Sequence, residues 1–499
     1  DIVMLSLKNK RVNYSFFNPT FVITVLISVT LIRIYSLIVS PIELSVDEAQ
    51  YWDWSRNVDF GYFTKPPLIA WTIGLTTSIF GNEEWAVRLS SPIFHFLTSI
   101  VLWKCGQLAF GFNAGRIAAL IWIFTPAASL GSFIISTDTP LLIFWSLSLL
   151  FLFQLLNNSS YNLALGMGIS IGLAFLSKYA ALYFIIFFIL WWLIYDRGLD
   201  LDIKKIFVII FSSLIISAGN IYWNYLNDFV TLNHTVSNAD LSEILLNYSN
   251  VIDFLSSQLL VFGPIIFLIF IFIVFDGFSK NKKLALLAML SLPIFLLITI
   301  QSFLKIANPN WAVTSYIAAS LLISAYLTLN RSKFLRLALN TGLVVNLIIS
   351  IYILKVTMVG NFLPVSLKSD PLRKNLGFEI LANNLDEIID KKNISKVIFE
   401  RRGDITRFNY YLNRDNNKHK NKVFIKTDSI IPGNFYEANY NYEYSQNSPG
   451  DKILIVRNSP NLEDGSYYNL DDIKFVKSIS SNTVKNLKRI YYLYESTYK

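Results

Sequence analysis

Cysteine is almost absent: Cys105 stands alone in 499 residues. That excludes a disulfide framework and a multi-cysteine zinc site. Three histidines are too few for a histidine-rich metal centre. Charge is scarce too, at 15% of residues. With 53% hydrophobic residues and a mean hydropathy of +0.45, the chain is too apolar for a soluble protein of this length. No internal repeat is visible, residues 360–499 hold no G-x-G-x-x-G or P-loop pattern, and no nucleic-acid partner is expected.

What is present is a series of long apolar runs. Runs of about 20 residues, enough to cross a bilayer, fall at 19–39, 85–108, 112–131, 139–156, 161–177, 179–195, 206–225, 251–275, 284–303, 311–329 and 334–358. About eleven transmembrane helices are therefore expected. Residues 19–39 are too long for a signal-peptide core, and no small-residue cleavage site follows, so they read as a retained span. The first residue is Asp1, and Met4 is a candidate start.

Lysine and arginine sort these spans by side. With Lys8, Lys10 and Arg11 cytoplasmic, the loops on that face hold Lys104, Arg116, Arg197, Lys204, Lys205, Lys280, Lys282, Lys283, Arg331, Lys333 and Arg336. The opposite face receives the 40–84 and 226–250 loops, Ser136-Thr-Asp138, Lys178, Lys305 with Asn308-Pro-Asn310, and the C-terminus. The unusual polar motifs thus share one face. Residues 360–499 carry 22 Lys+Arg and 17 Asp+Glu, more charge than all residues before them. They are expected to form a small soluble α/β domain outside the membrane, following a membrane domain over 1–359. Pro371–Lys392 reads as a helix. Ile394–Glu400, Lys422–Thr427, Lys452–Arg457, Ile473–Ser478 and Arg489–Tyr494 read as strands.

The densest polar stretch is Ser45 to Leu68. Ser45-x-x-Glu48 is a capping box, so a helix should begin at Val46. Asp47, Tyr51 and Trp54 share one face of it. Asp59-Phe-Gly61 reads as a turn, and Lys65-Pro-Pro67 as the opening of a second juxtamembrane helix. An ammonium at a helix N-terminus favours a phosphate. Acids, aromatic rings and this lysine together suggest a site for a sugar and a phosphate.

Each residue also has a plainer reading. Asp47 suits a first helical turn, and Glu48 has its cap, a duty glutamine performs as well. Lys65, Arg33 and Arg88 read equally as snorkelling cations. Asp138 reads as an N-cap, His95 as an interior hydrogen-bonded residue, and Lys178 and Lys305 as loop lysines.

Taken in order, Asp47-Glu48-Ala-Gln-Tyr51-Trp52, Tyr62-Phe-Thr-Lys65-Pro-Pro-Leu68, Val87-Arg88-Leu89, Ser136-Thr-Asp138-Thr-Pro140, Gly172-Leu-Ala-Phe-Leu-Ser-Lys178-Tyr179 and Asn308-Pro-Asn310-Trp311 resemble the GT-C class of membrane glycosyltransferases. The match, over roughly 15–330, is to the family of the protein O-mannosyltransferases and lipid A aminoarabinose transferases, in particular its bacterial dolichyl-phosphate-mannose-protein mannosyltransferase-like members. The resemblance implies a polytopic helical GT-C fold in a bacterial inner membrane, with a periplasmic active site. The donor it implies is a polyprenyl-phosphate sugar, and the acceptor an envelope lipid, glycan or protein. Anomeric inversion is implied as well. It places a general base at Asp47, with Glu48 a further candidate acid and Asp138 a second acid near the acceptor. It places the leaving phosphate at Lys65 and Tyr62. Tyr51, Arg88, Lys178, Lys305 and Asn310 would line the substrate cavity. The aminoarabinose transferases carry an arginine where this chain has Gln50, so the phosphate grip must differ and aminoarabinose is disfavoured as the donor sugar. The carboxylates would admit a divalent metal, but no ligand spacing specifies one. A transporter or flippase of polyprenyl-linked sugars is the alternative, with the same basic cavity and no base; against it, the motifs lie on one face rather than at a midplane between repeats. An assembly protein whose C-terminal domain binds envelope partners is a third reading.

Overall fold

Apolar stretches of this length satisfy their backbone groups in lipid by closing them into helices. The computed structural model describes residues 18–195, 203–238, 247–330, 332–361, 371–426, 432–443, 447–461, 467, 470–484 and 487–498. Among these, six helices are long and apolar enough to cross a bilayer: Pro19–Val39, Glu84–Phe110, Asp138–Asn157, Ile203–Leu226, Lys282–Leu304 and Lys333–Val359. Five shorter apolar helices accompany them: Leu68–Phe80, Phe112–Phe124, Tyr161–Ser177, Tyr179–Tyr195 and Ser315–Leu329. Leu31, Phe207, Phe272 and Ile348 are exposed on their surfaces, as side chains facing lipid are.

The expected span 251–275 is not one straight helix. Tyr248–Val261 and the helix opened by Pro264 meet at 108°. Gly263 makes the corner at φ +94°, where a Cβ would clash with its own backbone, and Pro264 suits the first turn that follows. The 112–131 run also breaks, at Thr125, whose side chain caps the short Pro126–Gly131 helix. Small residues set the tightest packing: a Cβ on Gly106 would lie 2.6 Å from Gly115 Cα, so the two helices meet backbone to backbone. Arg33 does not snorkel. It is 2% exposed and donates to the Ile123 carbonyl and the Ser129 and Ser132 hydroxyls.

The loops gather at two ends. Lys282 and Lys283 share one cavity with Phe110 and Leu329, and Lys283 reaches Asn157 at 3.5 Å. The other end holds the 40–84 segment, Asp138, Lys178 and the Asn308–Asn310 turn. Lys8, Lys10, Arg11, Arg197 and Arg331 lie outside the described residues, as does Thr427.

The C-terminal residues build a five-stranded sheet in the order β2-β1-β3-β5-β4. Its strands are β1 (Lys396–Phe399), β2 (Val423–Ile425), β3 (Lys452–Arg457), β4 (Asp471–Val484) and β5 (Leu487–Thr497). β2, β1 and β3 are parallel, and β5 and β4 run antiparallel. A parallel pair needs a crossover, and the Arg402–Asn413 helix supplies the one from β1 to β2. No helix was expected there: the segment is short, and its polar residues masked the apolar face of Ile405, Phe408 and Leu412 that the fold buries. The helix expected over Pro371–Lys392 starts later, at Phe378.

These elements share a core with the first polar segment. Trp52, Trp54, Tyr62, Ile69 and Val87 belong to one buried cluster with Phe378, Leu385, Phe408 and Tyr410. Trp52 and Tyr410 meet edge to face at 4.9 Å. Glu43 accepts the backbone N–H groups of Gly377, Phe378 and Glu379 at 3.0, 2.7 and 3.2 Å, at a helix end whose dipole favours an anion. Burial nonetheless pushes its pKa up to about 7.

Candidate active site

The Val46–Arg56 helix begins as the capping box requires. Ser45 Oγ accepts from the Glu48 N–H, and the Glu48 carboxylate accepts from the Ser45 N–H. This cap sends two adjacent carboxylates in opposite directions. Glu48 turns inward and is 1% exposed. Asp47 turns outward, with its side chain 62% exposed.

Glu48 and Arg88 form a closed, buried pair. Arg88 Nε donates to Glu48 Oε1 at 2.8 Å and Nη2 to Oε2 at 2.9 Å. Nη1 and Nη2 also donate to the Ile42 and Glu43 carbonyls, and the Ile135 N–H donates to Glu48 Oε1. Two expectations are corrected here. Arg88 does not line a substrate cavity, and Glu48 offers no face for catalysis, because both groups spend their hydrogen-bonding capacity on each other and on backbone. Glutamine would fill the cap yet leave Arg88 without its counter-charge, so the cap alone does not describe Glu48. Breaking a pair of this kind strands a buried charge, which costs about 3–5 kcal/mol. Arg88→Ala and Glu48→Gln are accordingly expected to lower the thermal midpoint of the purified protein by several degrees or abolish its recovery; unchanged melting of both would contradict this.

Tyr62 is also reassigned. Its hydroxyl donates towards the Trp54 and Asn57 carbonyls at 3.0 Å and accepts from the Asp59 N–H. Its ring stacks on Trp54 at 4.8 Å and 6°. It fastens the turn to the end of the helix and holds no free hydroxyl for a phosphate. Tyr51 lies on the Asp47 face as expected, 5% exposed and 5.3 Å from Trp54. Burial first, and then Asp47 and Asp138, hold its phenol well above its usual pKa.

Lys65 precedes its helix instead of lying within it: the helix runs Leu68–Phe80, with Pro67 at the cap. The Lys65 ammonium makes no hydrogen bond or ion pair with any described residue, although the side chain is half-buried. Burial, and then the charge of Lys178, lower its pKa, while Asp47 and Asp138 act the other way.

The fold joins three residues that are far apart in sequence. Lys178 Nζ lies 2.7 Å from Asp138 Oδ1, and Asn310 Nδ2 lies 2.5 Å from Asp138 Oδ2. Asp138 is therefore not an N-cap; Thr137 holds that position, without a side-chain cap bond. Lys305 is exposed five residues before Asn310, at the end of the Leu292–Leu304 helix.

One residue escaped the sequence reading altogether. Arg402, on the crossover helix, donates from Nη2 to Asp47 Oδ1 at 2.7 Å and from Nε to Gln50 Oε1 at 2.8 Å. Nothing local marks it out among the C-terminal charges. The cluster of Lys65, Lys178 and Arg402 around Asp47, Asp138 and Tyr51 is thus built from four separate segments. A cavity of about 800 Å³ is lined by Tyr62 with Trp54, Phe63, Trp223, Phe435 and Tyr440; Lys65, Lys178, Arg402, Asp47 and Asp138 are not among its lining residues. Asp47, Glu48 and Asp138 do not form a three-ligand metal group among the described residues. That combination occurs at Asp386, Asp390 and His419, where the Lys418 ammonium already binds both aspartates.

Comparison with known proteins bears on the family and the fold. Residues 64–223 match the family described as dolichyl-phosphate-mannose-protein mannosyltransferase. Lipid A galacturonosyltransferase RgtD of Rhizobium johnstonii is 34% identical over 335 residues, 66% of this chain and 70% of that protein. Among solved structures, apo ArnT from Cupriavidus metallidurans superposes with a TM-score of 0.65 at 13% identity, over 96% of this chain and 98% of that one. ArnT bound to undecaprenyl phosphate gives 0.65 at 14% identity, over 95% and 97%. The oligosaccharyltransferase of Archaeoglobus fulgidus, tethered with an acceptor peptide, gives 0.51 at 14% identity, over 80% and 64%. The structural likenesses speak for the fold, and the identity to RgtD over most of its length for kinship. A multi-pass helical membrane chain with these motifs in this order belongs to the GT-C glycosyltransferases, in the mannosyltransferase-like family that includes lipid A galacturonosyltransferase.

Proposed function

We propose that this protein transfers a hexuronosyl residue, galacturonosyl by analogy with RgtD, from a polyprenyl phosphate to a lipid A saccharide, with inversion, on the outer face of the inner membrane. The single observation that carries the reading is Lys65: a half-buried ammonium with no partner among the described residues, beside two carboxylates and a second lysine. A half-buried ammonium with no bonded counter-ion suits a site completed by an anionic substrate. In this reading Lys65 receives the leaving phosphate. Asp47, exposed and one face away from the structural Glu48, takes the acceptor hydroxyl's proton as the C1–O bond to phosphate breaks and the bond to the acceptor oxygen forms. Asp138, steadied by Lys178 and Asn310, faces the sugar. Residues 360–499 act as an outer domain that completes this site.

Two experiments test the reading. Purified protein given a synthetic polyprenyl-phosphate galacturonic acid and lipid A should add one hexuronic acid, detected by mass spectrometry. Donor movement across a vesicle bilayer without transfer would instead establish the flippase. The lysine and arginine distribution supports this orientation. Reporter fusions at residue 65 and at the C-terminus should both read as exported, and a cytoplasmic signal at either overturns it.

A further inference from the structure

Asp47 is held by a guanidinium from the C-terminal elements, and that guanidinium is not saturated. Arg402 places Nε on Gln50 and one hydrogen of Nη2 on Asp47. No further bond from its guanidinium is made to the described residues, so Nη1 and the second Nη2 hydrogen remain open. The side chain is 37% exposed, enough to meet a ligand.

Its position is fixed from both sides. Gln50 is 1% exposed, so the amide that receives Nε cannot swing away. Arg402 opens the Arg402–Asn413 helix, which is locked to the first polar segment by Tyr410 on the Asn82 carbonyl at 2.6 Å and Tyr411 on Glu84 at 2.8 Å. The Thr406 hydroxyl also holds the Arg402 carbonyl. Arg402 lies close enough to Lys65 and His234 for its charge to disfavour protonation of both. Three cations therefore converge, Lys65, Lys178 and Arg402. Lys178 is neutralised by Asp138, and Arg402 is only partly neutralised by a solvent-facing carboxylate. One leaving phosphate accounts for Lys65. A second oxyanion is left for Arg402.

We propose that Arg402 is a donor-binding residue supplied by the C-terminal elements, and that its open N–H groups bind the carboxylate of a uronosyl donor. The planar fork presents parallel N–H donors to a planar carboxylate, which an ammonium cannot do. The adjacent position in the first segment, Gln50, is neutral and serves as the seat. Binding the sugar carboxylate here sets C1 of the same sugar beside Asp47, because one guanidinium touches both. The inference rests on the uronosyl reading above, and it gives the C-terminal elements a part in donor choice.

The test compares two donors on the same polyprenyl phosphate, galacturonosyl and galactosyl, with lipid A as acceptor. Wild-type transfer of the uronosyl group establishes the function independently of Arg402; if wild type transfers only the galactosyl group, it is the uronosyl reading that fails. Loss of one charge-assisted contact is worth about 1.5–3 kcal/mol, so Arg402→Gln should cut kcat/KM for the galacturonosyl donor by about 10- to 150-fold. The galactosyl donor, which loses only the Arg402 contact with Asp47, should fall less, so that the preference for the uronosyl donor drops by about 10-fold or more. Arg402→Lys keeps the charge and the stem while losing the fork. It should melt like wild type and fall between the other two, which provides a second reading if Arg402→Gln folds poorly. An equal fall with both donors would confine the role of Arg402 to the shared phosphate or to Asp47 and overturn the carboxylate assignment. No change with either would leave Arg402 without a part in donor binding and overturn the proposal entirely.

Discussion

Lys65→Ala should reduce sugar transfer by about 10²–10³-fold, the loss typical when one preorganised contact to developing negative charge is removed. The departing polyprenyl phosphate gains negative charge as its bond to C1 breaks, and Lys65 is the unpartnered cation of the cluster that faces it in the proposed mechanism. Folding should survive, since no described residue relies on the ammonium. The thermal midpoint should stay level or rise, because burial and Lys178 already disfavour the charge. Lys65→Arg should recover part of the rate, as charge remains while the point geometry changes. Single-turnover transfer with saturating donor, alongside a melting curve, decides it. Wild-type turnover in Lys65→Ala would return this residue to a snorkelling lysine and remove the main support for the proposed function.

Asp47→Asn should lose about 10²–10⁴-fold in rate, the usual range for a general base, and should melt like wild type. Asp47 is exposed and its contact with Arg402 is solvent-accessible, so the ion pair itself adds little to stability. Glu48→Gln should fail differently. Its neighbour Arg88 is buried and bonded to both carboxylate oxygens, so the loss appears in folding before it appears in turnover. The diagnostic pair is therefore rate without stability at position 47, and stability before rate at position 48. A stable, fully folded Glu48→Gln with no activity would make Glu48 catalytic after all. A fully active Asp47→Asn would leave Asp138 as the remaining candidate acid.

The neighbouring Asp47 and Glu48 also show where sequence reasoning reaches its limit. The capping box was legible because it is a contact between residues three apart, and it fixed the helix start at Val46. Cap geometry also fixes which way each carboxylate leaves the helix. What Glu48 meets after turning inward is a matter of residue 88 and the backbone at 135. No local pattern carries that.

The same division holds across the chain. The sequence by itself determined the membrane class, the helical fold, the family, the five strands of the C-terminal sheet, though β4 runs on to Val484 where Ile473–Ser478 was expected, and the shared end for the polar motifs. Each of those follows from a period, a run length, a charge bias or a motif, all properties of contiguous residues. Tertiary structure alone decided the bend at Gly263, because the apolar run 251–275 reads the same straight or folded over. It alone decided that Tyr62 is a tether, that Arg88 is a counter-ion, and that Asp138 gathers Lys178 and Asn310. It alone brought Arg402 to Asp47 across 355 residues. A guanidinium's partner is set by which faces pack together, and here a shared apolar core between the first polar segment and the C-terminal helices does that packing. Burial of that core is roughly proportional to area and blind to sequence distance, which is why it can place a cation that no motif announces.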